Sequence, residues 1–193
     1  MSVTEQTIYQ HLREFAEHFT PPAPFSGHVE ISDGHIIMMM SPAGRHVQAA
    51  WLIAKQLEGQ LPEGVIATTS GDIEEAAAGQ LRRPDVLVLP FDAMDTDDPI
   101  SPRALLAAVE IVSRSNPEND YESKLHHYPI LGIPHYLIVD PRDGTCVHHW
   151  AITDRNGTPE YAARVPYVFG DKIPLADWVI DTGVLPRYGT GTR

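Results

Sequence analysis

Two short stretches decide the fold of this chain: Arg-Pro-Asp-Val-Leu-Val-Leu at residues 83–89 and Leu-Leu-Ala-Ala-Val-Glu-Ile-Val-Ser at residues 105–113. Each contains an apolar run as long as a strand, and a nearly continuous apolar run is typical of a strand with both faces buried. Asp85 opens the first run, and Glu110 lies inside the second. Because charged side chains are seldom buried without a partner, we expect Glu110 to have a chemical role.

Strand and helix patterns alternate on either side of these two stretches. Asp33-Gly34 and Asn156-Gly157 each lie between apolar segments, which predicts a hairpin towards each end of the chain. The predicted helices cover residues 7–19, 44–59 and 116–131, and the predicted strands cover 28–31, 35–40, 65–69, 80–90, 105–113, 135–139, 145–152 and 160–168. This pattern predicts a mixed α/β or α+β fold in which helices flank one β-sheet.

The chain has the composition of one soluble globular unit, with 193 residues, 42% hydrophobic and 21% charged. We expect an N-terminal helix and a proline-rich connector over 1–24, one domain over 25–180 and a flexible tail over 181–193. No apolar stretch approaches the roughly 20 residues of a membrane span. The N-terminus lacks a basic region followed by an apolar one, and Cys146 is the only cysteine, so we expect a cytoplasmic protein.

The net charge of −12, from 14 Lys and Arg against 26 Asp and Glu, excludes a basic surface over most of the protein. Any contact with nucleic acid must therefore be local. Arginines that flank the two acidic strands could form a local basic patch, or they could simply be solvated at the strand ends. These arginines are Arg82, Arg83, Arg103 and Arg114.

An acid on each of two adjacent strands, with a lysine from a packed helix, is the set that a metal-dependent phosphodiesterase needs. Magnesium prefers carboxylate, carbonyl and water oxygens, so Asp85 and Glu110 could share one ion, with the Ile111 carbonyl as a further ligand. Lys124 is the candidate to orient the attacking water, because the chain has only two other lysines.

Helical spacing adds two candidates on the same face as Lys124. Asp120 lies four residues before it and Tyr128 four residues after it. Alternatively, Asp120 and Lys124 could form an ordinary surface ion pair with no role in a site. Tyr128 could pack against the lysine stem or contribute its hydroxyl to the site.

The strings at 83–89 and 109–113, together with Gly-Ile-Pro-His-Tyr-Leu-Ile-Val-Asp-Pro at 132–141, resemble the Uma2 family within the PD-(D/E)XK nuclease superfamily. The resemblance covers residues 25–180. It implies a restriction-endonuclease-like fold and a DNA endonuclease that uses Mg²⁺, with Mn²⁺ as an alternative. By this resemblance Asp85 corresponds to the aspartate of the Pro-Asp motif.

The same resemblance assigns further residues, with one departure from the superfamily pattern. The usual lysine position, two residues after the acid Glu110, is Val112 here, and the family implies that Lys124 replaces it. Glu30 resembles an N-terminal glutamate that completes the metal site. His46 resembles another recurrent position, for which a structural role and a phosphate contact are both open.

Other functions fit the sequence less well. The pairs His126-His127 and His148-His149 argue against zinc, because adjacent side chains point in different directions on a helix or strand. No Gly-x-Ser-x-Gly motif supports a serine hydrolase. Met38-Met39-Met40 is expected to be hairpin core.

The remaining alternative is a noncatalytic protein with a nuclease fold that binds nucleic acid or protein. The complete set of Asp85, Glu110 and Lys124 favours the enzyme. If the protein cuts both strands of DNA, we expect a homodimer.

Overall fold

The computed structural model describes residues 2–24 and 26–189. The helices in these residues are α1 (Val3–His18), α2 (Gly44–Glu58) and α3 (Leu125–Ile130). The strands are β1 (Gly27–Ser32), β2 (His35–Met40), β3 (Val65–Thr68), β4 (Ile73–Glu75), β5 (Gln80–Arg82), β6 (Val86–Pro90), β7 (Ala107–Ile111), β8 (His135–Asp140), β9 (Thr145–Arg155), β10 (Thr158–Val168), β11 (Lys172–Leu175) and β12 (Trp178–Asp181). The predicted mixed α+β fold is confirmed. No helix in the described part of the chain is both long and apolar enough to cross a membrane.

A six-stranded sheet with the order β10-β9-β8-β7-β6-β3 forms the centre of the molecule. Its neighbouring strands are antiparallel except for β7 and β8, which are parallel. A parallel pair needs a crossover connection, and the helical segment that ends in α3 supplies it. Every residue of β7 is buried, as its apolar sequence predicts.

The alternation of side chains along β7 places Glu110 on a defined face of this sheet. Val109 and Ile111 pack in the core beneath α2, where the hairpin β11–β12 also lies. Ala108 packs in the core on the opposite face, against α3 and its neighbours. Glu110 follows the same alternation and points towards α3.

A second sheet, with the order β2-β1-β5-β4, lies beside the first. The single strand predicted over 80–90 is wrong, because the chain leaves this sheet at Arg82 and enters the large sheet at Val86. Pro84 explains the break, since proline has no N–H to donate to a strand ladder. Asp85 therefore lies at the junction of two sheets instead of within one strand.

The helix predicted over 116–131 differs from an ordinary α-helix. It contains a π-helical segment, Asn119–Lys124, directly before α3. Such wide turns occur often at functional sites, and here the π segment carries two of the candidate site residues. Gly132, with φ of +80°, follows the helix as predicted.

One side of α1 packs on the small sheet, and other apolar residues of this helix are exposed. In α1 the buried side is formed by Tyr9, with Leu12 and Ala16 partly buried beside it, while Ile8 and Phe15 face outwards. The hydroxyl of Tyr9 donates to Glu74, which sets this rotation of the helix.

The prediction that Met38-Met39-Met40 forms hairpin core is also wrong, because Met38 and Met40 are each 48% exposed. They lie on β2, an edge strand of the small sheet. An edge strand has a neighbour on one side only, so its side chains receive less cover.

The segment after Asp181 packs on the domain as far as Gly189, which differs from the flexible tail that composition predicts. Leu185 is buried in the core beneath α2, and the Tyr188 backbone N–H donates to the Pro141 carbonyl at 2.9 Å. The last part of the predicted tail, residues 190–193, lies outside the described residues. The hairpin β11–β12 was not predicted either, since its turn contains no Asn-Gly or Asp-Gly pair.

Leu185→Ala should lower the free energy of unfolding by about 2–4 kcal/mol, because it removes a buried side chain and leaves a cavity. Urea denaturation measures this change. The neighbouring Val184→Ala is the matched control, since Val184 is 55% exposed and should change stability by less than about 0.5 kcal/mol. Equal, small effects of both substitutions would show that this segment does not contribute to the folded core.

Candidate active site

Asp85 and Glu110 lie opposite each other on neighbouring chain segments. Strands β6 and β7 pair with Val86 opposite Val109, and this register extended by one residue places Asp85 opposite Glu110. Residues in such positions have Cβ atoms roughly 4.5–5.5 Å apart. Asp85 Oδ2 also accepts a hydrogen bond from the Ile111 N–H at 2.7 Å. The two acids and Ile111 line one cavity of about 360 Å³.

Lys124 reaches this cavity from the π-helical segment. Its ammonium lies 2.8 Å from Glu110 Oε2 and 3.1 Å from Asp120 Oδ1, and its side chain is only 3% exposed. The Tyr128 hydroxyl donates to Glu110 Oε1 from behind, where Tyr128 is fully buried. The structure thus brings together the candidates predicted by helical spacing, and it places them in the interior, not on the surface.

His46 connects Asp85 to the C-terminal segment. Nε2 of His46 donates to Asp85 Oδ1 at 2.8 Å, and Nδ1 lies 3.2 Å from the Tyr188 hydroxyl. That hydroxyl also lies 3.0 Å from the Val112 carbonyl oxygen. One Asp85 oxygen is therefore held by His46 and the other by the backbone of β7.

Glu30 lies in the same cavity but contacts a different cation. Its carboxylate accepts hydrogen bonds from the Arg82 guanidinium at 3.1 Å and from the Arg83 N–H at 3.2 Å. Arg82 is fully buried and donates from Nη2 to Ser32 at 2.6 Å and to Ser123 at 2.9 Å. This arginine links the small sheet to the helix that carries the lysine.

Three of the four arginines that flank the acidic strands have carboxylate partners, so they do not supply the local basic patch that was one of the two alternatives. Arg82 is inside the protein, and the Arg83 side chain pairs with Asp72 at 2.5 Å. Arg103 lies 3.7 Å from Glu75, a carboxylate of the small sheet. Each of these three arginines pairs with a different carboxylate, so proximity in sequence did not indicate a shared surface.

The site carries more negative than positive charge. If all its groups are ionised, four carboxylates and two cations leave a net charge of −2. The carboxylates are Glu30, Asp85, Glu110 and Asp120, and the cations are Arg82 and Lys124. Arg83 also lines the cavity, but its charge is balanced by Asp72.

Burial and neighbouring charges shift the pKa values of the site. Burial raises the pKa of Glu110 well above its usual value; the charge of Lys124 lowers it, and the charges of Asp85 and Asp120 offset part of that lowering. Burial likewise raises the pKa of Asp120. For Lys124 burial acts in the opposite direction, but the neighbouring carboxylates prevail and raise its pKa well above the usual value. Lys124 is therefore protonated at neutral pH.

Glu30 behaves differently because it has cations of its own. Burial alone would raise its pKa, but the charges of Lys124 and Arg82 lower that pKa to about 2. The extra negative charge is therefore concentrated on the side of the cavity where Asp85, Glu110 and Asp120 lie.

These residues fit a magnesium ion, although they do not form a closed cage. Within residues 2–24 and 26–189, no three Asp, Glu, His or Cys side chains converge on one point. Magnesium is usually held by one or two carboxylates, with waters and substrate phosphates completing its octahedron. Asp85 and Glu110 supply two such carboxylates in a cavity with excess negative charge. The donor set therefore suits a hard divalent ion.

The strand pair His148-His149 points to opposite faces of the sheet, whereas the rings of His126 and His127 lie edge to face with their centres 5.0 Å apart. His148 lies 3.1 Å from His135, whereas His149 is near Tyr161 on the other face of the sheet. On the helix, His127 Nε2 lies 3.0 Å from Asp33 Oδ1.

Sequence reasoning missed two residues that hold the site together. Arg82 is followed by Arg83 in the sequence, and no neighbouring residue indicates that Arg82 is buried. Tyr188 lies in a segment rich in glycine and threonine, without periodic apolar residues. Both act through contacts with residues more than 30 positions away, for which the sequence carries no local signal.

Comparison with known proteins gives a consistent result. The sequence model of the Uma2 family, described as "Putative restriction endonuclease", matches residues 14–176. The fold is similar to the crystal structure of a putative nuclease belonging to DUF820 from Anabaena variabilis, with a TM-score of 0.64 and 16% identity. That match covers 90% of this chain and 96% of the other. No curated protein matches the sequence.

The raised pKa of Glu110 predicts how stability depends on pH in the absence of metal. Folding favours its protonated form, so this contribution is complete below the ordinary pKa of 4.5 and is lost as pH rises through the raised pKa. The free energy of unfolding of the wild type in EDTA should therefore decline as pH rises, relative to Glu110→Gln. Urea denaturation between pH 5 and 9 measures the difference.

Comparing the two proteins cancels the histidines, which titrate in both. Glu63→Gln, at an exposed position, is the matched control and should follow the wild type. Parallel curves for wild type and Glu110→Gln would contradict the assigned shift.

Proposed function

The chain belongs to the Uma2 family, and we propose that it is a divalent-metal-dependent endonuclease that hydrolyses phosphodiester bonds of DNA. The observation that carries this proposal is the buried ammonium of Lys124. It lies 2.8 Å from Glu110 in a cavity where Asp85 faces the same space. A lysine and two acids at one cavity, under excess negative charge, suit metal-assisted hydrolysis of an anionic ester.

In this proposal Asp85, Glu110 and the Ile111 carbonyl hold Mg²⁺, and Mn²⁺ could replace it. When bound, the ion neutralises charge on the phosphate and lowers the pKa of a coordinated water. The hydrogen bonds from His46 and from the Ile111 N–H fix the orientation of the Asp85 carboxylate. His46 thus positions a ligand in advance and need not touch the substrate.

Lys124 acts as a charged donor. Because its neighbours raise its pKa, it keeps its proton at neutral pH and cannot serve as a general base. It would orient the attacking water through a hydrogen bond and offset the charge that develops on the phosphate oxygens. Asp120, 3.1 Å away, and Tyr128 behind Glu110 hold this arrangement in place.

Glu30 contributes through its ion pair. It neutralises Arg82 and so keeps that arginine linked to the helix of Lys124. Glu30 also lines the cavity and could complete the metal site, as its family position implies.

A noncatalytic binding module is the second candidate, and one observation favours it. Both Glu110 oxygens already have partners, Lys124 and Tyr128, so a metal must compete with an existing ion pair. The two candidates differ in their response to Mg²⁺. An ion that binds the folded enzyme raises its thermal midpoint, whereas a permanently closed site shows no shift.

The DNA contact must be local, given the net charge of −12. Cutting both strands would require two copies of the site, so a homodimer stays a prediction.

Asp85→Ala and Lys124→Ala should each reduce Mg²⁺-dependent cleavage of duplex DNA by about 10²–10³-fold, the usual effect of removing one group that stabilises the transition state. Cleavage of a supercoiled plasmid, followed on gels at matched protein concentration, measures the loss. Asp85→Asn should lose activity similarly while keeping its shape and its hydrogen bond from Ile111.

Asp92→Ala and Lys172→Ala remove the same types of charge from exposed positions and should cleave like wild type. The thermal midpoint of each variant separates lost chemistry from lost folding. Undiminished cleavage by Asp85→Asn and by a folded Lys124→Ala would assign the activity to another site or to a contaminant.

A further inference from the structure

Two exposed arginines beside the cavity have unusual hydrogen-bond partners. Arg45 donates from Nη1 to the backbone carbonyl of Arg187 at 2.6 Å, and Arg114 donates from Nη2 to the backbone carbonyl of Gly189. Neither guanidinium forms an ion pair with any described carboxylate. Both charges are therefore available to an anionic ligand.

Neutral carbonyls are weak partners for a guanidinium. Hydrogen bonds to an anionic oxygen are roughly twice as strong, and the planar fork of arginine matches the geometry of a phosphate. The carbonyls of Arg187 and Gly189 therefore occupy donors that a phosphodiester would bind more strongly.

The position of these arginines connects them to the site. Arg45 directly precedes His46, whose ring contacts Asp85, and Arg114 lies between Ser113 and Ser115, which both line the cavity. Both guanidinium groups meet at Gly189, whose carbonyl accepts from Arg114 and which is also adjacent to the Arg45 guanidinium. One phosphodiester backbone could therefore contact both.

The segment that covers the arginines is anchored by Tyr188. Its N–H donates to the Pro141 carbonyl, its hydroxyl lies 3.0 Å from the Val112 carbonyl, and the Arg114 guanidinium lies 5.2 Å from its ring centre. The Tyr188 hydroxyl also lies 3.2 Å from His46, and the Arg187 guanidinium donates to the Asp143 carbonyl. Residues 187–189 follow Leu185, the last residue of the buried core, so they are separate from the core itself.

We propose that Arg45 and Arg114 form a binding site for backbone phosphates of DNA, and that residues 187–189 hold this site closed until a strand displaces them. The inference rests on the proposed function, because it assumes that DNA enters the cavity. It gives an acidic protein a local cationic contact at the place where the substrate backbone must lie. It also makes the C-terminal segment an internal competitor of the substrate.

The test is binding of a fluorescent DNA duplex, measured by anisotropy at several salt concentrations. Ca²⁺ replaces Mg²⁺, and gels confirm that the duplex stays intact. Arg45→Gln with Arg114→Gln should weaken binding about tenfold and reduce the salt slope by about 2, since each arginine contributes about 1. Arg155→Gln with Arg164→Gln, which removes two charges from the β9–β10 hairpin, should leave binding within about twofold. If both double substitutions weakened DNA binding equally, or if the Arg45 and Arg114 substitutions did not weaken it, the proposed phosphate site would be refuted.

Truncation after Pro186 should tighten binding several-fold, although it removes positive charge, because it uncovers both arginines. Tyr188→Phe loses the hydroxyl anchor, keeps the chain length and should tighten binding by a smaller factor. Unchanged or weaker DNA binding in both variants would refute the proposal that residues 187–189 compete with DNA.

Cleavage with Mg²⁺ separates this inference from the proposed function. Binding that depends on the two arginines without any cleavage would refute the endonuclease and retain the phosphate site. Cleavage that is unchanged by both substitutions would support the endonuclease and refute the phosphate site.

Discussion

The burial of Lys124 between two carboxylates is the interaction on which the rest of this structure depends. A buried ammonium is tolerated only when it is paired, and removing one partner of a buried pair typically costs about 3–5 kcal/mol. Glu110 comes from the large sheet and Asp120 from the π-helical segment, so the ion cluster joins these elements. Arg82 is a second buried cation: it pairs with Glu30 of the small sheet and also donates to Ser123 of the π-helical segment. The groups proposed for catalysis are thus also part of what holds the elements together.

This double role has a consequence for function. Folding buries Glu110 and places it beside Asp85 and Asp120, and both the burial and these neighbouring charges raise its pKa. A divalent cation would relieve that repulsion, so the same imbalance that costs stability provides affinity for metal. The overall acidity of the chain fits this picture, because the proposed contact with DNA depends on a bound ion and two local arginines instead of a basic surface.

Much of the fold and the central residues could be predicted because their signals are local. The apolar run around Glu110 predicted a buried strand, Asp33-Gly34 predicted a hairpin, and the four-residue spacing from Asp120 to Lys124 predicted a shared face. The break at Pro84, the exposed methionines of β2 and the ordered segment near Tyr188 were not predicted, or were predicted wrongly. Each depends on which sheet or cavity lies next to a residue, and one-dimensional patterns do not carry that information.

Asp85 and Glu110 are proposed to bind one divalent ion beside Lys124. A crystal soaked in Mn²⁺ tests this binding, because the anomalous scattering of manganese locates the ion independently of any assumed activity. If the two acids bind the ion, one strong anomalous peak should lie between their carboxylates, within coordinating distance of both and of the Ile111 carbonyl oxygen. A well-diffracting soaked crystal with no peak there, and with the Glu110 carboxylate still bound to Lys124 and Tyr128, would contradict it.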